Sequence, residues 1–219
     1  MGGLQVNGDI MRITRLRMAT EGMGVSTLIA FWGCPLHCKY CINDQCHDSH
    51  DAVRGLYTPE ELVRAVGKDD IYFKMTGGGI VFGGGEPLLQ AGFIHEVCQL
   101  ADPGWIKRIE TSLNTDGENV SILIDDIDEW IVDIKDMNRE IYQKYTGSPN
   151  EQVIRNLKRL IRQVPQKKIW IRLPHIPDYN TDEDVRYSRE VLIRIGIKRI
   201  DEFVYEGSRF IRKEDKSRN

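Results

Sequence analysis

Short apolar runs alternate with amphipathic stretches along most of this chain. "STLIAFWG" (26–33) reads as a buried strand that runs into a cysteine-rich loop, and "GIVFGG" (79–84) as a second strand ending in glycines. "WIKRIET" (105–111), "EWIVDIK" (129–135), "KKIWIRLPHI" (167–176) and "RIDEFVYE" (199–206) predict four more. Between them, "TPEELVRAV" (58–66) opens like a helix, with Thr58 as N-cap, Pro59 in the first turn and Glu61 closing a capping box. Helical periodicity also marks 88–101, 150–164 and 182–196. Strands alternating with helices across short loops imply a parallel sheet. About six such units are too few for a complete eight-fold barrel. The expected fold is therefore α/β, a partial open parallel β/α barrel. A single domain over 1–219 is expected, with a flexible tail from about 211 and no repeat, low-complexity segment or linker.

Composition narrows the function classes. The chain has 219 residues, enough to bury a sizeable core without disulfides or a structural metal. Thirty basic against thirty-three acidic residues give a net charge of −3, which argues against an electrostatic nucleic-acid binder. No apolar run reaches the ~18 residues that span a bilayer, and the first residues carry no signal-peptide core. A cytoplasmic protein with neither membrane nor nucleic-acid partner is the expectation. In a reducing compartment, clustered cysteines bind metal or do redox work more often than they pair.

Three of the five cysteines, Cys34, Cys38 and Cys41, crowd into "GCPLHCKYCIN" (33–43). A structural zinc site would want a fourth ligand, for which Cys46, His47 and His50 are the neighbours. An ordinary ferredoxin-type site would also want four cysteines. Three thiolates on a tight loop would instead leave one iron of a [4Fe–4S] cluster open to an outside ligand. Cys98, on an amphipathic helix, reads as core. Cys46 is open to three readings: loop filler, substrate contact or part of a small metal site.

The C-x3-C-x2-C spacing, with aromatic Tyr40 before the last cysteine, resembles the radical S-adenosylmethionine (SAM) enzymes. That resemblance implies a [4Fe–4S] cluster on Cys34, Cys38 and Cys41. It also implies SAM on the fourth iron, reductive cleavage of SAM, and a 5′-deoxyadenosyl radical that abstracts hydrogen from substrate. "FGGGEPLLQ" resembles the family's GGE motif at Gly84, Gly85 and Glu86. "IETSLNT" (Glu110, Thr111, Asn114) and "VDIKDMN" (Asp133, Lys135) resemble positions that surround SAM in the pyruvate formate-lyase activating enzyme group. There Lys135 would meet the SAM carboxylate, Asp133 the ribose or a monovalent cation, Arg172 the carboxylate or ribose, and Tyr40 the adenine. The likeness runs from about Thr27 to Pro177.

Two segments depart from that group. "EGMGVST" (21–27) lacks the proline and arginine of a DGPGIR-like stretch, and "EFVYEGSRF" (202–210) replaces an L-P-Y-H-like strand. The general pattern of the resemblance implies a glycyl-radical enzyme as partner, with a flavodoxin- or ferredoxin-type electron donor, whereas the two departures favour a small-molecule substrate. A small-molecule lyase acting on a nucleoside-derived or heterocyclic substrate, like those cleaving queuosine, is the alternative. Asn43, Asp44, His47, His50, His175 and Glu206 are the polar substrate candidates. A non-enzymatic cluster or zinc protein is the third reading.

Overall fold

The computed structural model describes residues 7–18, 21–48, 55–206 and 209–212, with side chains as far as 205. Within these residues nine strands form one sheet: β1 (Gly8–Met18), β2 (Val25–Phe31), β3 (Gly55–Tyr57), β4 (Gly79–Gly84), β5 (Ile106–Thr111), β6 (Glu129–Asp133), β7 (Ile169–His175), β8 (Ile200–Glu206) and β9 (Arg209–Arg212). Their order is β3-β1-β2-β4-β5-β6-β7-β8-β9, and the two edges do not meet. β2, β4, β5, β6, β7 and β8 run parallel. The six strands expected from the apolar runs are these six, and the fold is the expected open α/β barrel. β1, β3 and β9 add antiparallel edges.

Seven α-helices lie among the described residues: α1 (Pro59–Val66), α2 (Asp70–Thr76), α3 (Ala91–Leu100), α4 (Gly117–Ile122), α5 (Arg139–Thr146), α6 (Glu151–Gln163) and α7 (Asp182–Arg194). Apolar side chains of the strands meet the helices in one main core, around Phe31, Phe73, Phe82, Phe93 and Trp130. The capping box at α1 is present, with Thr58 accepting from Glu61 N–H; such a cap is worth about 1 kcal/mol. Cys98 is buried in this core, which pushes its thiol up to about 12. None of the described helices is long and apolar enough to cross a membrane.

One buried carboxylate braces the barrel floor. Asp69, ahead of α2, takes a bidentate pair from Arg15 on β1 and the Thr27 hydroxyl on β2. A buried charge held this way is satisfied rather than reactive. The opposite end of the barrel, where the parallel strands finish, is left for ligands.

Candidate functional site

The cysteine loop leaves β2 and is held from both sides. Gly33 turns with φ 84°, its N–H donating to Cys46 O and its carbonyl accepting from Glu86 N–H at 2.7 Å. On the other side, His37 N–H donates to Thr146 O (2.9 Å) and Lys39 N–H to Tyr145 O (3.1 Å). Those carbonyls belong to the last turn of α5, which no helical N–H could satisfy. The loop therefore caps α5.

The last glycine of β4 and the one that follows it are demanded by close backbone approach. A Cβ on Gly84, whose φ is 95°, would lie 2.7 Å from Ala30 Cα; one on Gly85 would lie 2.2 Å from Gly33 O. Asn43 donates its side-chain amide to Gly84 O at 3.0 Å, tying the end of the cysteine loop to the same turn. Gly85→Ala should therefore lower stability by about 2 kcal/mol, or roughly 4–8 °C in Tm at this chain length. Thermal unfolding checks it. An unchanged Tm would mean that the contact with Gly33 is not tight.

Glu86 is 1% exposed and accepts four hydrogen bonds, from Thr111 Oγ1 (2.6 Å), Ser112 N–H (2.9 Å), Ser112 Oγ (2.6 Å) and Leu88 N–H (3.2 Å). Burial raises its pKa, and the bonds from Ser112 and Thr111 work the other way. Its carboxylate is committed to locking the end of β4 to the end of β5.

Farther round the barrel, charges come in pairs. Arg172 on β7 meets Glu110 on β5 at 2.7 Å. Burial raises the Glu110 pKa, while Arg172 lowers it. Asp133, in register with Arg172, ends β6, and its Oδ2 lies 3.4 Å from Lys135 Nζ. Burial disfavours the Lys135 charge, but Asp133, Tyr205, Cys38 and Tyr145 around it hold its pKa well above the ordinary lysine value. Burial pushes the Cys38 thiol up to about 11, with Lys135 pulling it down.

All of this faces one open cleft of ≈ 740 Å³. Of the residues expected to carry cluster or SAM, all but Asn114 line it: Cys34, Cys38 and Cys41 from the loop, Tyr40 beside them, Gly84, Gly85 and Glu86 at the end of β4, and Glu110, Thr111, Asp133, Lys135 and Arg172 beyond. Tyr40 sits on the rim, its hydroxyl donating to Asp178 at 3.1 Å and its ring edge-on to Tyr145 and Tyr179. Ser112, Tyr145 and Tyr205 also line the cleft and were not singled out from the sequence. Tyr205 had a signal available, since it lies at the end of the last parallel strand. Tyr145 had none stronger than its spacing in a helix that was itself missed.

The substrate candidates are scattered. Asn43 lines the cleft, with its amide spent on Gly84. Asp44, His47 and His175 do not line it. A 3-10 turn over Asp44–His47 buries Cys46 against Met11, Ala30 and Trp32, and so carries His47 outward, where it stacks on His37 at 4.3 Å. His175 pairs with Asp182 at 3.2 Å. Asn114 bonds back to Ser112 Oγ and is likewise outside the lining. His50 and the Glu206 side chain lie outside the described residues. The Cys46 thiol hydrogen-bonds that of Cys34. Among the described residues no three Cys, His, Asp or Glu side chains converge on a single metal ion.

Comparison with known proteins matches residues 29–190 to the model of the Radical SAM superfamily. The (2S)-3-sulfopropanediol dehydratase activating enzyme of Klebsiella oxytoca is 33% identical over 149 residues, 66% of this chain and 46% of that protein. Pyruvate formate-lyase 1-activating enzyme of Escherichia coli is 30% identical over 170 residues, 75% of this chain and 66% of that one. The chain thus spans about half the length of the first of these relatives and two-thirds of the second. A solved domain of a pyruvate-formate lyase-activating enzyme from Bacteroides vulgatus superposes with a TM-score of 0.54 at 25% identity, covering 64% of this chain and 89% of that domain.

Proposed function

The chain belongs to the Radical SAM superfamily, and from that premise we propose that it is an activating enzyme whose substrate is a backbone glycine of a glycyl-radical enzyme. Membership implies a [4Fe–4S] cluster and SAM as cofactors. In this reading Cys34, Cys38 and Cys41 hold the cluster. The fit rests on the donor set and its surroundings. Each thiolate of such a cluster takes its own iron, so three thiols spread along one wall suit it better than they suit a lone ion. One buried tyrosine hydroxyl near Cys38, that of Tyr142, has no hydrogen-bond partner among the described residues. The cluster and SAM, when bound, supply reductive cleavage of the sulfonium and hydrogen abstraction from substrate.

The protein's own part is positioning and charge. Lys135 offers a buried ammonium to the SAM carboxylate. The turn at Gly84 and Gly85, which packs too closely on Ala30 and Gly33 to admit a side chain, would offer main-chain carbonyls to the SAM amine. Glu86 keeps that turn fixed to β5. Asp133 is the carboxylate for a ribose hydroxyl or a monovalent cation, and the Glu110–Arg172 pair gives the cleft a polar wall without net charge. Tyr40 takes the adenine at the rim. The electron donor would be of flavodoxin or ferredoxin type.

The observation that carries the substrate is the open cleft, into which a peptide loop can reach, together with likeness to activating enzymes over the segment that builds it. The small-molecule reading leaned on two divergent segments. Residues 21–27 start β2, at the end of the barrel away from the cleft, where Glu21 accepts from Ser26 and Met23 O from Arg108. Among the described side chains of the other segment, 202–205, Tyr205 lines the cleft.

The test is anaerobic. Reconstituted, reduced protein is given SAM with either the protein fraction or the ultrafiltrate of host extract, and 5′-deoxyadenosine is counted. The expected outcome is stimulation by the protein fraction, with a glycyl-radical doublet in its electron paramagnetic resonance spectrum. Stimulation by the ultrafiltrate alone would replace this reading with a small-molecule lyase.

A further inference from the structure

Cys34 stands between two surroundings. On one side it lines the cleft; on the other it packs against the small buried cluster of Met11, Ala30, Trp32 and Cys46. The backbone enforces that meeting. Gly33 N–H donates to Cys46 O at 3.0 Å and Cys46 N–H to Asn43 O at 2.9 Å, so the chain turns back through the 3-10 segment and sets Cys46 beside Cys34. Asn43 fixes the same turn from the cleft side through Gly84 O. Both cysteines are free thiols, and thiols already in contact can be bridged with little backbone movement.

The two differ in access. Cys46 is 4% exposed and absent from the cleft wall, so it meets the cleft only through Cys34. Of the three loop cysteines, Cys34 is the one packed on the Cys46 cluster, whereas Cys38 packs on the main core and on Tyr145, Phe203 and Tyr205. A small oxidant entering the cleft therefore reaches Cys34, with Cys46 directly behind it.

We propose that Cys34 and Cys46 form a reversible disulfide in the cluster-free protein. The bond shields Cys34 from irreversible oxidation and withholds it from a cluster until a dithiol reduces it. The bridge itself needs no cluster; its effect on loading rests on the reading that Cys34 is a ligand. The oxidant is a peroxide. Cys34 sulfur takes one peroxide oxygen as the O–O bond breaks, giving a sulfenic acid and one water. Cys46 sulfur then attacks Cys34 sulfur, the S–S bond forms, and the S–O bond breaks to release a second water. Two thiols are oxidised and one hydrogen peroxide is reduced to two waters.

Cluster-free parent protein is treated with one equivalent of hydrogen peroxide and digested without reductant. Cleavage at Lys39 separates Cys34 and Cys38 from Cys41 and Cys46, and fragmentation of the linked peptides in a mass spectrometer assigns the sulfurs. The expected linkage joins Cys34 to Cys46 and is lost with dithiothreitol. Linkage of Cys34 to Cys38 or Cys41, or Cys34 as sulfinic acid beside a free Cys46, would overturn the proposal. Cys46→Ala gives a second readout. Untreated, it should take up iron as the parent does; failure would make Cys46 a ligand and overturn the proposal. After peroxide and then dithiothreitol, the parent should regain its iron uptake. Cys46→Ala should take up several-fold less, its Cys34 held as a sulfinic acid that the dithiol does not reduce. Equal recovery would overturn the shielding role. A parent that takes up no iron even before treatment would overturn the cluster reading, and the peptide map would still decide the disulfide.

Discussion

Cys38→Ala is expected to leave a folded chain that retains no cluster and cleaves SAM more than about 100-fold more slowly, beyond the loss typical of a disturbed outer-shell partner. Cys38 is the thiol through which the loop communicates with the rest of the cleft. It packs against both the main core and the Tyr145–Phe203–Tyr205 cluster, and it feels Cys34, Cys41, Lys135 and Asp133. Removing one sulfur should cost the fold no more than ~1–2 kcal/mol, so the loss is chemical rather than structural. Iron content after anaerobic reconstitution, with 5′-deoxyadenosine as second readout, checks it; full iron retention would sink the cluster assignment. Cys46→Ala is the matched contrast. Cys46 faces Met11, Ala30 and Trp32 and is absent from the cleft wall, so its variant should load normally. Loss of metal from both variants would bring back a site closed by Cys46.

Four of the parallel strands, β2, β4, β6 and β7, were legible because most of their residues are buried and read as apolar runs; β5 and β8 interleave charges and were legible only from their β-branched and aromatic positions. The site residues were legible for a related reason: parallel strands deliver their ends to one rim, so motifs at successive strand ends must meet. What escaped notice is half-buried or short. β1, "GDIMRITRLRM", lies between β3 and β2, but its buried positions stop after Met11 and its pairing with β2 shifts twice, so neither a run nor a clean alternation marks it. α2 buries only Phe73, and α4 only Gly117 and Val120. α5 buries Tyr142, Tyr145 and Thr146, residues that a hydrophobic pattern counts as polar or ambiguous. The polar candidates Asp44 and His47 were chosen for their nearness to the cysteines in sequence. Chain direction, which turns at the 3-10 segment to bury Cys46, decides where they point, and no composition signal records that turn.

Lys135→Met tests the other half of the site. Its ammonium is 10% exposed and 3.4 Å from Asp133, in a wall where water cannot easily replace it. A hydrogen bond to a charged group is worth about 1.5–3 kcal/mol, so the variant should bind SAM roughly 10- to 150-fold more weakly. Iron content should not change, because Lys135 is no ligand. The sign of the pH dependence follows from the direction of the shift. The folded-state pKa is raised, so the charge and its pairing with Asp133 persist through neutral pH and below the ordinary lysine value of 10.5. They are lost only as pH climbs through the raised folded value. SAM affinity of the parent protein should therefore be flat, as far as this group goes, between about pH 6 and 9. Met also strips Asp133 of its cation, so Lys135→Met with Asp133→Asn separates the two effects. The double variant should recover stability lost by the unpaired carboxylate and none of the affinity lost with the ammonium. A single variant with unchanged SAM affinity would make "DIK" a strand-end surface feature, and a double variant that regained affinity would move the carboxylate contact away from Lys135.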